Sequence, residues 1–305
     1  MKKVLFATTA LVASAGIAAA DVKLSGFAEM GVIGGDSYET QFHVDLDVKF
    51  ALSGETDNGL AFGATIDLDE LDGFTPGDIR STSGFHSVWI SGGWGKLTMG
   101  DTDGGFDWAM KEAIIGDTID DTHEHAGYSG NGGLDGDYDG VVARYENSFD
   151  AFAFALSVEI DDTGSLGTDI APVGPFGDPI FGAGIKYSAD LGGATLGFGL
   201  GYQSGDTDSI VGVSVDVATD SGISAIVNYS DLDTKGEHTG LAIGYSMDAL
   251  EVGVNWGQYE TTAGVKTDGV GLAVNYSLGG GATVQLGYAS DDVEDAYSLG
   301  LAMNF

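Results

Sequence analysis

The sequence predicts an all-β fold, a transmembrane antiparallel up-and-down β-barrel of about sixteen strands. Three observations predict it. Apolar and polar side chains alternate with period two from Val22 to the last residue, which is the signature of strands with one face in an apolar medium and the other in water. After Asp21 no run of 18 or more apolar residues occurs, so no helix is available to cross a membrane. A closed barrel is the other structure that satisfies every backbone polar group in lipid.

The first twenty residues are read apart from the rest. Lys2 and Lys3 form a positive start, residues 4–17 an apolar stretch, and Ala18-Ala19-Ala20 a cleavage site of the A-x-A type, together the pattern of an export leader. The expected organisation is therefore a signal peptide over 1–20 and a transmembrane barrel over 21–305, with cleavage before Asp21. The stretch is too short and too rich in alanine to be preferred as a membrane anchor.

Within the barrel region the clearest strand is 41–52. Phe42, Val44, Leu46, Val48, Phe50 and Leu52 form one apolar row, and Gln41, His43, Asp45, Asp47, Lys49 and Ala51 the opposite one. The same two-row pattern predicts strands over 22–32, 60–68, 152–160, 181–189, 196–202, 211–217, 223–229, 239–247, 250–256, 270–278, 284–288 and 297–305. Weaker strands at 86–91, 96–100 and 141–147 bring the total to about sixteen, an even number as single-chain bacterial barrels require. Short turns are expected to alternate with longer acidic loops, with both chain ends on the short-turn side. A soluble sandwich would turn its apolar rows inward and present Lys and Glu outward. Here the polar rows are largely Gly, Ala, Ser, Thr and Asn, which suits a lumen, and the glycine-rich strands from Thr195 to Ala302 are expected to leave it roomy. Tyr187, Tyr202, Tyr229, Tyr245, Trp256, Tyr276, Tyr288 and Phe305 are expected near strand ends, as aromatic girdles.

On the lumen face the alternation places Lys23, Glu29, His43, Asp45, Asp47, Lys49, Asp67, Asp69, Lys96, Arg144, Glu146 and Lys186. One connection, residues 101–140, is far longer than the usual link between elements and so reads as functional. It carries Asp101, Asp103, Asp107, Glu112, Asp117, Asp120, Asp121 and Glu124, and residues 108–115 are expected to form one or two helical turns.

A formal net charge of −36, deepened by loss of the leader lysines, excludes nucleic acid as a partner. The absence of cysteine excludes disulfides, thiolate metal sites and thiol nucleophiles. No G-x-S-x-G, P-loop or helix-opening G-x-G-x-x-G is present, so the chain is not expected to be an enzyme. No cofactor is required by the motifs. His123, Glu124 and His125 have ligand types suited to a transition metal, though solvated loop histidines are the commoner explanation. Asp117, Asp120, Asp121 and Glu124, or Asp135, Asp137 and Asp139, offer the hard oxygens that calcium takes, with plain solvated acidity as the alternative. A calcium-binding β-helix needs tandem G-G-x-G-x-D repeats, and the one near match at Gly132-Gly133-Leu134-Asp135-Gly136-Asp137 is not repeated.

The mature start DVKLSGFAEMGV, the stretch ALSGETDNGLAFGAT, the segment WISGGWGKLTMGDTDG leading into the long loop, and the ending YSLGLAMNF resemble the general porins of alphaproteobacteria. The resemblance covers the whole mature chain. It implies a homotrimer of sixteen-stranded barrels in the outer-membrane lipid, passing small hydrophilic solutes. It also implies that residues 101–140 fold into the lumen as a constriction loop, and that Phe305, with Tyr297, Leu299, Leu301 and Met303 on its face, is an assembly signal. The family sets a basic cluster opposite the loop. This chain departs from that pattern, with His43, Asp45, Asp47 and Lys49 on the second strand and only Arg80 and Arg144 in the mature sequence. A weaker transverse field and a preference for cations are therefore expected. The alternatives are a non-conducting structural or adhesive barrel, or a barrel enzyme.

Overall fold

The structure is a computed structural model that describes residues 21–68, 86–128, 133–138, 140–161 and 177–305. The leader, Asp69, Arg80 and Asp139 lie outside the described residues. The strands are β1 (Asp21–Gly35), β2 (Gln41–Glu55), β3 (Ala61–Asp67), β4 (His86–Gly92), β5 (Gly95–Gly100), β6 (Val142–Phe149), β7 (Phe152–Glu159) and β8 (Ile180–Asp190). They continue as β9 (Ala194–Ser204), β10 (Ser209–Thr219), β11 (Ile223–Leu232), β12 (Gly236–Met247), β13 (Leu250–Thr261), β14 (Lys266–Gly279), β15 (Ala282–Asp291) and β16 (Asp295–Asn304). Each pairs with its sequence neighbours, and β16 returns antiparallel to β1, so the sheet closes without an edge. At the seam Phe305 and Gly26 exchange both backbone hydrogen bonds, at 2.8 and 3.3 Å.

The two rows of each strand meet different surroundings. Phe42 and Val44 are 89% and 78% exposed, while lumen-facing Asn255, Asn275, Gln285 and Ser298 are buried. Apolar surface of this extent is unfavourable against water and is at home against lipid. No described helix is long and apolar enough to cross a membrane. Aromatic residues gather at the end that holds both termini: Trp94 stacks on Tyr145, and Phe152 lies 6.0 Å from Phe149 and 4.9 Å from Tyr187 between ring centroids. Tyr245 and Tyr276 lie at that same end and Tyr202, Tyr229 and Tyr288 toward the other; Trp256, by contrast, sits mid-strand in β13, paired with Leu241.

Two expectations are corrected. The long loops do not alternate regularly with short turns, because from β9 onward both barrel ends are joined by tight connections such as 205–208, 233–235 and 292–294. The helical turn lies earlier than 108–115: α1 spans Gly105–Ala109, and Met110 is already extended, at φ −78° and ψ 156°. The reason is reach. From Met110 to Asp120 the chain passes from β10 to β1, a distance that an extended backbone covers at about 3.3 Å per residue and a helix, at about 1.5 Å, does not.

The wall is uneven in height. β3, β4 and β5 have 7, 7 and 6 residues, whereas β12, β13 and β14 have 12, 12 and 14. A tilted strand needs about 9–11 residues to span the hydrocarbon core.

Candidate functional site

The long loop turns inward and is tied to the wall strand by strand. Gly105 donates its backbone N–H to Ser157 Oγ of β7 at 2.7 Å. Lys111 N–H donates to Ser214 Oγ of β10 at 2.9 Å, and Asn228 Nδ2 of β11 donates to the Lys111 carbonyl at 3.1 Å. On β14, Asn275 holds both backbone groups of Asp117, accepting its N–H at 3.1 Å and donating to its carbonyl at 2.8 Å. The tip reaches β1, where Asp120 N–H donates to Glu29 Oε2 at 3.2 Å. The chain then doubles back. Asn255 of β13 donates to the His123 carbonyl at 3.2 Å and accepts from His125 Nε2 at 2.9 Å. Ala126 N–H donates to Asp291 of β15, and Leu134 N–H to Gln203 of β9.

Lumen-facing glycines make this path possible. A Cβ on Gly184 would stand on the Gly105 carbonyl, one on Gly199 on that of Ala109, one on Gly253 on that of Ile115, and one on Gly271 on that of His123. From sequence, Gly199, Gly253 and Gly271 are expected only to leave room in the lumen. They are a seat, and the loop backbone fills it. Side chains complete the packing: Phe106 and Ile119 are fully buried, Phe106 and Met110 joining Leu134, Ile180 and Ile210, and Ala113 joining Ile226 and Ala242.

The charged residues named from sequence fall into three groups. Near α1, Arg144 donates to the Asp103 carbonyl at 2.7 Å and pairs with Glu146 at 3.0 Å and the Asp103 carboxylate at 3.6 Å. Lys96 lies 3.9 Å from Glu146, and the Lys186 ammonium sits 4.2 Å from the centre of the Trp108 ring. At the tip, His43 stands 3.4 Å from Glu29 and 4.0 Å from Asp120, with Asp45 opposite Glu29 in the β1–β2 register and Asp47 opposite Phe27. On the loop-free wall Lys49 is paired with Asp67 at 2.5 Å. Lys23 lies toward the terminal end of β1, opposite Ala51.

Burial alters the loop's own acids. Asp107 is pushed up to about 7 by desolvation, then by neighbouring Asp103, Asp135 and Glu112. Glu124 is pushed up to about 7 by desolvation, then by Asp121 and Glu112, whose side chain also hydrogen-bonds Tyr128. Asp101 and Asp135 are raised chiefly by desolvation, Asp135 against the pull of the Gly104 N–H and Gln203. Desolvation lowers His123 and His125, so both favour the neutral form. Part of the acidity legible in the loop is thus uncharged near neutrality. Among the described residues no three His, Asp or Glu side chains gather as a metal-binding group, and Asp139 lies outside them.

Sequence reasoning did not single out Ser157, Gln203, Ser214, Asn228, Asn255 or Asn275, the side chains that hold the loop. Their signal was present: each occupies a lumen position in or beside a row of alternating glycines.

A family model for Gram-negative porins matches residues 7–296. A Rhodobacter capsulatus porin is 29% identical over 317 aligned positions, covering 90% of this chain and 96% of that protein. Among solved structures, a refined porin superposes with a TM-score of 0.69 at 23% identity, covering 93% of this chain and all of the other. A triple mutant of the Rhodopseudomonas blastica porin gives 0.68 at 18%, with the same coverage.

Proposed function

The chain belongs to the Gram-negative porin family, and on that premise we propose that its barrel is a general diffusion channel of the outer membrane that passes small hydrophilic solutes, cations ahead of anions. Family and fold alike indicate a channel rather than an enzyme. The observation that carries the cation preference is the pairing of three of the wall's five bases with acids. Lys49, Lys96 and Arg144 each stand against an acid of the wall or loop, at 2.5, 3.9 and 3.0 Å, leaving Asp117, Asp120, Asp121 and Asp45 without an equal number of opposing bases. Carboxylates in a cleft with low-dielectric walls concentrate cations.

The test is the zero-current potential of refolded protein in planar bilayers under a potassium chloride gradient. A cation-selective sign is expected, strongest at low salt, because the Debye length falls from about 30 Å at 0.01 M to about 3 Å at 1 M. An anion-selective sign would refute the charge argument.

The same reading includes a homotrimer joined through the low part of the wall. β3–β5 are too short to span the apolar core alone, yet Phe62, Val88 and Met99 point outward from them and are exposed. Neighbouring copies would cover this sector. Mass measurement of the detergent-solubilised protein should give three copies, and Val88→Arg should shift it toward one. Calcium binding at the acidic segments is a separate proposal that calorimetry on the refolded protein can test.

A further inference from the structure

The loop tip hangs between two amides. Asn275 holds the Asp117 backbone through both its oxygen and its nitrogen, and Asn255 on the adjacent strand donates to the His123 carbonyl and accepts from the His125 ring. Both are nearly buried, at 7% and 4% exposure. Used at both ends on one backbone, the Asn275 amide copies the donor–acceptor pair of a neighbouring strand, while Asn255 ties one backbone carbonyl and one ring of the returning segment. Between the two holds lie Asp120 and Asp121, with φ of 54° and 46°, a conformation that non-glycine residues adopt only when their surroundings enforce it.

We propose that Asn255 and Asn275 are positioning residues for ion selectivity, a two-point clamp that fixes the strained acidic tip against β1 and so sets where its carboxylates meet the permeating ion. The inference rests on the cation-preferring channel proposed above. Neither amide touches the ion path in this reading, and each acts through the loop segment it holds.

The experiment uses full-length refolded protein in planar bilayers. Asn275→Ala and Asn255→Ala should lower the potassium-to-chloride permeability ratio toward unity by about twofold or more and raise open-channel noise, since a mobile tip no longer concentrates charge at one place. Heat-modifiable migration should stay unchanged. If an alanine variant does not refold, Asn275→Ser and Asn255→Ser carry the same expectation, because a hydroxyl is too short to reach both partners of either amide.

A tether supplies the readout that barrel stability alone would not move. The chain has no cysteine, and a Cβ on Gly287 would stand against Thr118. In the Asn275→Ala background, Thr118→Cys with Gly287→Cys should restore selectivity when oxidised and lose it again on reduction. Wild-type selectivity in both alanine variants, with the parent cation-selective, would overturn the clamp while leaving the channel reading intact. A parent without cation preference would overturn the cation-preferring reading on which the clamp rests.

Discussion

The lumen has two kinds of wall built from one pattern. From β7 round to β16 and β1 the inward positions are mainly glycines, amides and hydroxyls, with a few charged groups such as Glu29 and Lys186 among them, and the loop packs against them. From β2 to β5 the inward positions include Lys49, Asp67 and Lys96, charged groups paired with wall acids and bases, with His43 at the edge of the arc against the loop tip. Both arcs keep the same outward apolar row, so lipid is indifferent to the division. The difference teaches that period-two alternation fixes which side faces inward, while the size and chemistry of the inward residues decide whether that side is a seat or a pore wall.

The comparison requires a closed barrel, and its seam is where the largest effect is expected. Deleting Phe305 removes both backbone bonds to Gly26. The yield of folded protein in the outer membrane should fall severely, and normal levels by surface labelling would count against an assembly role.

Next comes the seat. Gly253→Leu puts a side chain onto the Ile115 carbonyl and should cost about 1–3 kcal/mol of stability where the loop can shift, as overpacked cores do, with a change in conductance. Thr65→Leu on β3, six strands round the barrel from β13, should leave conductance nearly unchanged. Equal effects in bilayer recordings would erase the distinction between the arcs.

Smaller is the effect of the tip charges. Neutralising Asp117, Asp120 and Asp121 together should reduce cation preference more than neutralising the exposed turn acids Asp36, Asp220 and Asp292. Matching reversal potentials would mean that tip acids carry no special weight.

The smallest expected effect is on pH. Asp107 and Glu124 have folded values of about 7, raised above those of the unfolded chain. They therefore favour the seated loop while protonated, and that contribution is lost as pH rises through about 7. Deprotonation also adds negative charge to the lumen, so cation preference should increase from pH 6 to pH 8. Reversal potentials at fixed salt will show a flat profile if these acids do not titrate there.

The barrel itself was legible because its outward rows are nearly unbroken. Phe42 to Leu52 states its face in every second residue, and a closing strand ending in Phe305 follows the same rule. The loop was legible as long and acidic, and its inward fold came only by resemblance. Its path was not legible because Asn255 and Asn275 look like ordinary lumen polarity, and their partners Asp117, His123 and His125 lie more than a hundred residues away. The position of α1 was misread since Trp108 to Ile115 has helix-forming residues, while tertiary reach demanded extended chain after Ala109. The charge of the loop was overread, because composition counts a carboxyl as ionised and burial at Asp107 does not.

The glycine seat also orders events in time. The loop precedes β7–β16 in the chain, yet it docks on them, with sequence separations of 52 to Ser157, 158 to Asn275 and 165 to Asp291. Contacts of such separation form slowly, because the intervening chain must be ordered first. The seat exists only once the later strands have paired, so docking is expected to follow barrel formation. Trp108, under the Lys186 ammonium, should report the last step: during refolding its fluorescence should still be changing after the β-sheet circular dichroism has reached its final value, and simultaneous completion of the two signals would place docking within barrel closure instead.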